Sequence, residues 1–123
     1  MIMISRHNVE DRYSDMAVYN GVAYLAGQVA SDMTQNVTEQ TREVLGMIDA
    51  LLSAAGTDKS RILMAQIYLS NMRDYVGMNE AWDAWVKDIK GNAPPRATVQ
   101  SPLANSQYLV EIVVTAAVPS QNG

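Results

Sequence analysis

The 123-residue chain has the length of one domain, and we assign residues 1–123 to that domain. It has no cysteine and a single histidine, which excludes disulfides and thiolate nucleophiles and disfavours a histidine-rich metal site or a Ser–His–Asp triad. The net charge of −4 argues against nucleic-acid binding, and no apolar run approaches the ~20 residues of a membrane span. Charge appears within the first six residues, which is unlike a signal peptide, so we expect a soluble cytoplasmic protein.

The first half of the chain predicts a β-hairpin followed by a helix. Two short apolar runs, 16–18 and 22–25, flank an Asn-Gly dipeptide that is typical of a two-residue hairpin turn. Asn36 stands where a helix N-cap is expected, and Glu39 is spaced to reciprocate it. Apolar residues then recur at helical spacing as far as Gly56, which can end the helix in the left-handed conformation.

The second half predicts three strands and a second helix. The run 61–69 has few polar residues and no helical stripe, which indicates a strand buried on both faces. Residues 71–89 carry an apolar stripe at helical spacing, and the Gly- and Pro-containing segment 91–95 stops this helix. A short strand over 96–100, a loop and a long apolar strand over 108–118 follow.

The order of these elements, ββ-α-β-α-ββ with a possible extra strand at 2–6, is that of an α+β domain. Strands separated by helices need crossover connections, so we expect the two helices to pack on one face of a mixed sheet. The other face then carries apolar side chains with no helix to cover them. We therefore expect this face to be buried against other copies of the chain in a homo-oligomer.

Two charged residues stand out in apolar surroundings. Glu111 lies inside Tyr-Leu-Val-Glu-Ile-Val-Val, where a buried carboxylate is costly unless it is paired. Arg96 opens a short strand and shares a face with Thr98 and Gln100. If the last two strands form a hairpin, Arg96 and Glu111 lie nearly opposite one another. They are then either a structural cross-strand ion pair, or a pocket in which the guanidinium binds a substrate carboxylate and the glutamate handles a water or proton.

Several segments together resemble a known family. They include residues 72–79 and the tryptophan-containing helix after them, together with Gly27-Gln28 at the end of the early hairpin. They also include the segment Ala-Pro-Pro-Arg-Ala-Thr-Val and a later Val-Glu-Ile strand, in which Glu111 follows Arg96 by fifteen residues. This combination resembles the RidA/YjgF family of reactive-intermediate deaminases, also called L-PSP endoribonucleases, over nearly the whole chain. The resemblance implies a chorismate-mutase-like α+β fold and a homotrimer with ligand clefts between subunits.

The resemblance also implies a reaction. Family members hydrolyse 2-imino acids, such as 2-iminopropanoate and 2-iminobutanoate, to 2-oxo acids and ammonia without a metal or organic cofactor. Arg96 matches the arginine that binds the substrate carboxylate. Glu111 matches the glutamate that places or activates the attacking water.

Four further positions match the ligand-binding residues of the family. Tyr13 precedes Ala26 by thirteen residues and matches a tyrosine that lines the cleft, and Ala26, Gly27 and Thr98 match other cleft positions. Many members have serine in place of Ala26 and cysteine in place of Thr98. These departures suggest a divergent branch that prefers other imines or related enamines.

Two alternative functions stay open at the level of sequence. A non-catalytic trimer that binds small carboxylates as a regulator would use the same Arg96. Ribonuclease activity is disfavoured by the acidic charge, the lone histidine and the absence of a basic, aromatic stripe. We expect a small 2-imino or 2-oxo acid as ligand, and neither nucleic acid nor membrane as partner.

Overall fold

A computed structural model describes residues 3–120, which form a six-stranded sheet with two α-helices on one face. The strands are β1 (Ser5–Val9), β2 (Ser14–Tyr19), β3 (Val22–Leu25), β4 (Ile62–Leu69), β5 (Arg96–Gln100) and β6 (Val110–Ala117), and the helices are α1 (Val37–Ala54) and α2 (Tyr75–Val86). The strand order is β1-β2-β3-β6-β4-β5, with β4 and β5 parallel and all other neighbours antiparallel. The predicted α+β class and the mixed sheet are confirmed. Within residues 3–120, no helix is both long and apolar enough to cross a bilayer.

The predicted hairpin is formed by β2 and β3. Asn20 and Gly21 have φ values of 52° and 78°, and the two-residue hairpin turn of type I′ requires positive φ at both positions. Strand β1 lies antiparallel to β2 and overlaps the extra strand expected at 2–6, of which residue 2 is outside the described residues.

Helix α1 begins at the predicted cap. The Asn36 side chain accepts a 2.9 Å hydrogen bond from the backbone N–H of Glu39. The reciprocal bond is not formed, because the Glu39 carboxylate pairs instead with Arg42. Past the helix end, Gly56 adopts a φ of 80°, in the left-handed region where glycine is favoured.

A glycine inside α1 gives a stability prediction. Gly46 is exposed, and a β-carbon there would meet no atom within 4 Å. We expect Gly46→Ala to stabilise the protein by about 0.5–1 kcal/mol, because alanine loses less backbone entropy in a helix. Urea unfolding at fixed protein concentration measures this. Gly77→Ala in α2 is the matched control, since its β-carbon would lie 2.7 Å from Val37 Cγ1 and should destabilise. Equal changes in the free energy of unfolding of the two variants would contradict this prediction.

The two helices cover one face of the sheet and leave the other open. Strand β4 shows this alternation, since Ala65, Ile67 and Leu69 are buried while Gln66 and Tyr68 are half-buried. The expectation that β4 is buried on both faces is therefore wrong for a single chain, because two helices make only one covering layer. The open face carries large apolar side chains, among them Tyr24 (51% exposed), Met64 (40%) and Val99 (43%).

The last two strands do not form the hairpin considered from the sequence. Strand β4 lies between them, with Arg96 of β5 level with Ala65 and Glu111 of β6 level with Tyr68. The reason is the connection, because the chain crosses from β4 through α2 and returns parallel to β4. After the loop, β6 then pairs antiparallel with the other side of β4.

Candidate functional site

An irregularity between β3 and β6 shapes the centre of the sheet. The pairing Tyr24↔Thr115 is followed by the bridge Gln28↔Ile112. Between these two pairings the chain advances four residues from Tyr24 to Gln28, whereas β6 advances only three, from Thr115 to Ile112. The extra residue is a β-bulge, a feature that often re-aims side chains beside active sites. It is secured by two backbone bonds between Gln28 and Ile112, of 2.9 and 3.2 Å.

The bulge brings Gly27 against the side chain of Glu111. A β-carbon at position 27 would overlap Oε2 of Glu111 and lie 2.8 Å from its Cδ and 3.1 Å from its Cγ. Only glycine leaves room for the carboxylate in this position. The Glu111 side chain is half-buried on the open face, and within residues 3–120 it has no hydrogen-bond or ion-pair partner. A carboxylate so placed can accept a proton or a hydrogen bond from a bound water or ligand.

A cleft of about 460 Å³ is lined by Gly27, while Glu111 is not among its lining residues. It brings together three residues predicted for the site, Tyr13, Ala26 and Gly27. The backbone N–H of Ala26 donates to the carbonyl of Asp15 at 2.8 Å, which ties this part of the lining to β2. The full lining is Tyr13, Asp15, Ala26, Gly27, Gln28, Val29, Ser31 and Met47.

Arg96 lies elsewhere, on the edge strand β5 beneath α2. Its guanidinium carbon is 5.0 Å from the ring centroid of Trp82 and 5.9 Å from that of Tyr75. The guanidinium Nη2 also donates to the Tyr75 hydroxyl at 3.4 Å, and Nη1 donates to the sulfur of Met78 at 3.7 Å. The rings hold the plane of the guanidinium by cation–π contact. Neither ion pair within residues 3–120 involves Arg96, so no carboxylate of that part of the chain neutralises it.

Thr98 accompanies Arg96 on the same strand and the same face. It is half-buried and level with Ile67, whose side chain is part of the core beneath the helices. The pairing of β5 with β4 therefore agrees with the prediction that Arg96 and Thr98 share a face.

Within one chain, Arg96 and Glu111 do not meet. They are separated by two strand spacings and three residues along the strands, which is about 14 Å in the plane of the sheet. They also project from opposite faces, since Arg96 is level with the buried Ala65 and Glu111 with the half-buried Tyr68. The cross-strand ion pair is therefore not formed within one chain. The predicted residues fall into two groups, one at the cleft and one at the β5 edge.

One polar residue was missed by the sequence analysis. Asn79 of α2 has a side-chain oxygen that is buried without a hydrogen-bond partner among residues 3–120. It lies one turn from Tyr75 and three residues from Trp82, the two rings that hold Arg96. The sequence could have indicated this residue, because a polar side chain within the apolar stripe of a helix is expected to be buried and to need a hydrogen-bond partner.

Comparisons with known proteins agree with this fold. A family model described as endoribonuclease L-PSP matches residues 3–118. A RutC family protein from Haemophilus ducreyi is 53% identical over 119 residues, covering 97% of this chain and 100% of the relative. The RutC family protein YoaB of Escherichia coli is 44% identical over 115 residues, covering 94% and 98%.

Solved structures extend the similarity to three dimensions. The crystal structure of a YjgF-family protein from Neisseria meningitidis superposes with a TM-score of 0.91 at 40% identity, covering 96% of this chain and 97% of that one. The chain therefore belongs to the endoribonuclease L-PSP family, whose members also carry the names RutC and YjgF.

Proposed function

We propose that this protein is a homotrimeric hydrolase that converts 2-imino acids to 2-oxo acids and ammonia. The observation that carries the proposal is the division of the site. Within residues 3–120, neither the Glu111 carboxylate beside Gly27 nor the Arg96 guanidinium at the β5 edge has an ion-pair partner. Each group is half of what a small imino acid needs, a cation for its carboxylate and a base for its water.

Association of chains would complete the site. The β5 edge of one copy would meet the cleft of the next. This is a head-to-tail contact, which forms a ring when the rotation between successive copies closes. Burial of the open face, with Tyr24, Met64 and Val99, would supply the apolar contribution to assembly. A ring of three is what the family resemblance implies.

The proposed reaction needs little beyond binding and orientation. Arg96 would hold the substrate carboxylate in a bidentate contact, with Tyr75 and Trp82 fixing the guanidinium plane. Glu111 would accept a proton from a water as the water oxygen bonds to the carbon of the protonated imine, whose C=N π electrons pass to the nitrogen. The proton held by Glu111 would then pass to the amino nitrogen of the resulting carbinolamine. The C–N bond would break as the hydroxyl group loses its proton to the carboxylate, which releases ammonia and leaves the 2-oxo acid. Orientation lowers the entropic part of the barrier of a hydrolysis that already occurs in water.

The decisive experiment generates the imine in place. An amino-acid oxidase produces 2-imino acids from amino acids, and semicarbazide traps them in competition with hydrolysis. Purified protein is expected to lower the amount of trapped imine in proportion to its concentration. Unchanged trapping at micromolar protein would contradict the proposed activity.

The proposed assembly has its own test. Sedimentation should give a species of three times the 13.5 kDa of the chain. Met64→Asp, which places a charge on the open face, should dissociate it and remove activity, because each site would lose one of its halves. A stable, active monomer would contradict the composite site.

A second candidate is favoured by one residue. Ala26 lines the cleft without the hydroxyl that many family members have there, so one potential hydrogen bond to ligand is missing. A trimer that binds small carboxylates as a regulator, without turnover, fits that loss. Calorimetric binding of 2-oxobutanoate combined with unchanged imine trapping would favour this function over the hydrolase.

A further inference from the structure

The loop between Gln28 and α1 forms one wall of the cleft. Val29 and Ser31 of this loop belong to the lining, together with Tyr13. Ala30 is buried in the core, with 2% of its surface exposed, but Ser31 and Asp32 after it are exposed. The position of these two residues therefore depends on polar contacts.

Those contacts come from Glu43, in the second turn of α1. Its Oε2 accepts a 2.6 Å hydrogen bond from the backbone N–H of Ser31, and its Oε1 accepts from the Gln35 side chain at 2.9 Å. The backbone N–H of Asp32 approaches the same carboxylate at 3.4 Å. The bond from Ser31 is the main reason that the pKa of Glu43 lies below its usual value, so the carboxylate stays ionised near neutral pH.

The other tie between α1 and the loop acts at a different place. The Gln40 side chain donates to the carbonyls of Met33 and Gln35, at 3.4 and 3.1 Å, near the helix end of the loop. Within residues 3–120, the amides of Ser31 and Asp32 have no acceptor other than Glu43. Beyond the buried Ala30, Glu43 therefore supplies the hydrogen bonds that hold Ser31 and Asp32 at the end of the loop that borders the cleft.

We propose that Glu43 is a positioning residue that holds the Ser31 side of the cleft in its binding-competent place. The inference rests on the proposed function in one respect, that the ligand occupies this cleft. Without the carboxylate, the segment around Ser31 would have to be ordered each time a ligand binds, which weakens binding. The groups that carry out the reaction, Arg96 and Glu111, would stay in place, so the maximal rate should change little.

The test uses Glu43→Ala and Glu43→Gln, with Glu39→Ala as matched control. Glu39 is also an acidic residue of α1, but its carboxylate pairs with Arg42 and does not touch the loop. We expect Glu43→Ala to speed amide hydrogen exchange in residues 29–35 by about tenfold and to raise KM for 2-iminobutanoate by a similar factor, with kcat nearly unchanged. Glu43→Gln should be intermediate, because its amide oxygen can still accept one bond. Glu39→Ala should leave exchange and KM unchanged.

The result that would overturn the inference is a Glu43→Ala protein with unaltered KM, whether or not exchange increases. A fall in kcat at constant KM would overturn it as well. Affinity for 2-oxobutanoate, measured by calorimetry, separates this inference from the proposed activity. If the wild type does not hydrolyse imines, weaker 2-oxobutanoate binding by Glu43→Ala still supports the positioning role, and equal binding refutes it.

Discussion

Arg96→Ala is expected to abolish imine hydrolysis, and Arg96→Lys to impair it severely, with the trimer intact in both. A carboxylate in a partly desolvated cleft needs a compensating charge, and lysine lacks the planar fork that engages both oxygens. Losing a charge-assisted contact should cost about 2–3 kcal/mol of binding, or about 30- to 150-fold in affinity, before any misorientation of the substrate. Clearance of 2-iminobutanoate by each purified variant measures the effect.

The control for this substitution is Arg61→Ala, which removes an exposed arginine immediately before β4. Because Arg96 packs on the rings of Tyr75 and Trp82, its removal also takes away contacts, so thermal unfolding should be followed in parallel. A folded, trimeric Arg96→Ala protein with wild-type clearance would exclude the carboxylate clamp.

Glu111→Gln is expected to lower kcat by about a hundredfold or more, the usual contribution of a positioned general base. The amide keeps the shape of the side chain but cannot take the proton of the attacking water. Because Glu111 has no partner among residues 3–120, its replacement should leave stability nearly unchanged. Single-turnover rates with preformed 2-iminobutanoate, together with thermal unfolding, measure both effects.

Gly27→Ala provides an independent route to the same group. Its β-carbon would collide with the end of the Glu111 side chain, which can rotate away at small cost to stability but then leaves its place beside the cleft. The double variant with Glu111→Gln should be no slower than Glu111→Gln alone, since both changes remove one function. Gly46→Ala, with open space around its β-carbon, is the control. Additive losses in the double variant would contradict a shared mechanism.

The elements that the sequence predicted well are those with local signals. The Asn-Gly turn before Val22 and the cap at Asn36 each depend on a few neighbouring residues, and both occur in the structure. The bounds of β5 were also predicted, because prolines precede it and Arg96 begins an extended run. Such features are determined by backbone preferences that act over one or two turns.

The strand order could not be obtained in this way. Whether β5 pairs with β4 or with β6 depends on the crossover through α2 and on which edge the helix covers. Tyr75 and Trp82 were expected as core residues of a helical stripe, and nothing local to them indicates that they meet Arg96. The approach of Gly27 to Glu111 likewise depends on a bulge between strands that are distant in sequence.

Arg96 and Glu111 lie on opposite faces of one sheet, so a chain that has lost one of these residues could still contribute the other to a site shared with a neighbour. In the proposed ring, every subunit would contribute Arg96 to the site shared with one neighbour and Glu111 to the site shared with the other neighbour. Two inactive alleles, one defective in each residue, would restore working sites wherever their products sit side by side. In a cell that expresses both alleles, the two defects would therefore complement one another. Activity would depend on which subunits are neighbours in a trimer and not on either polypeptide alone.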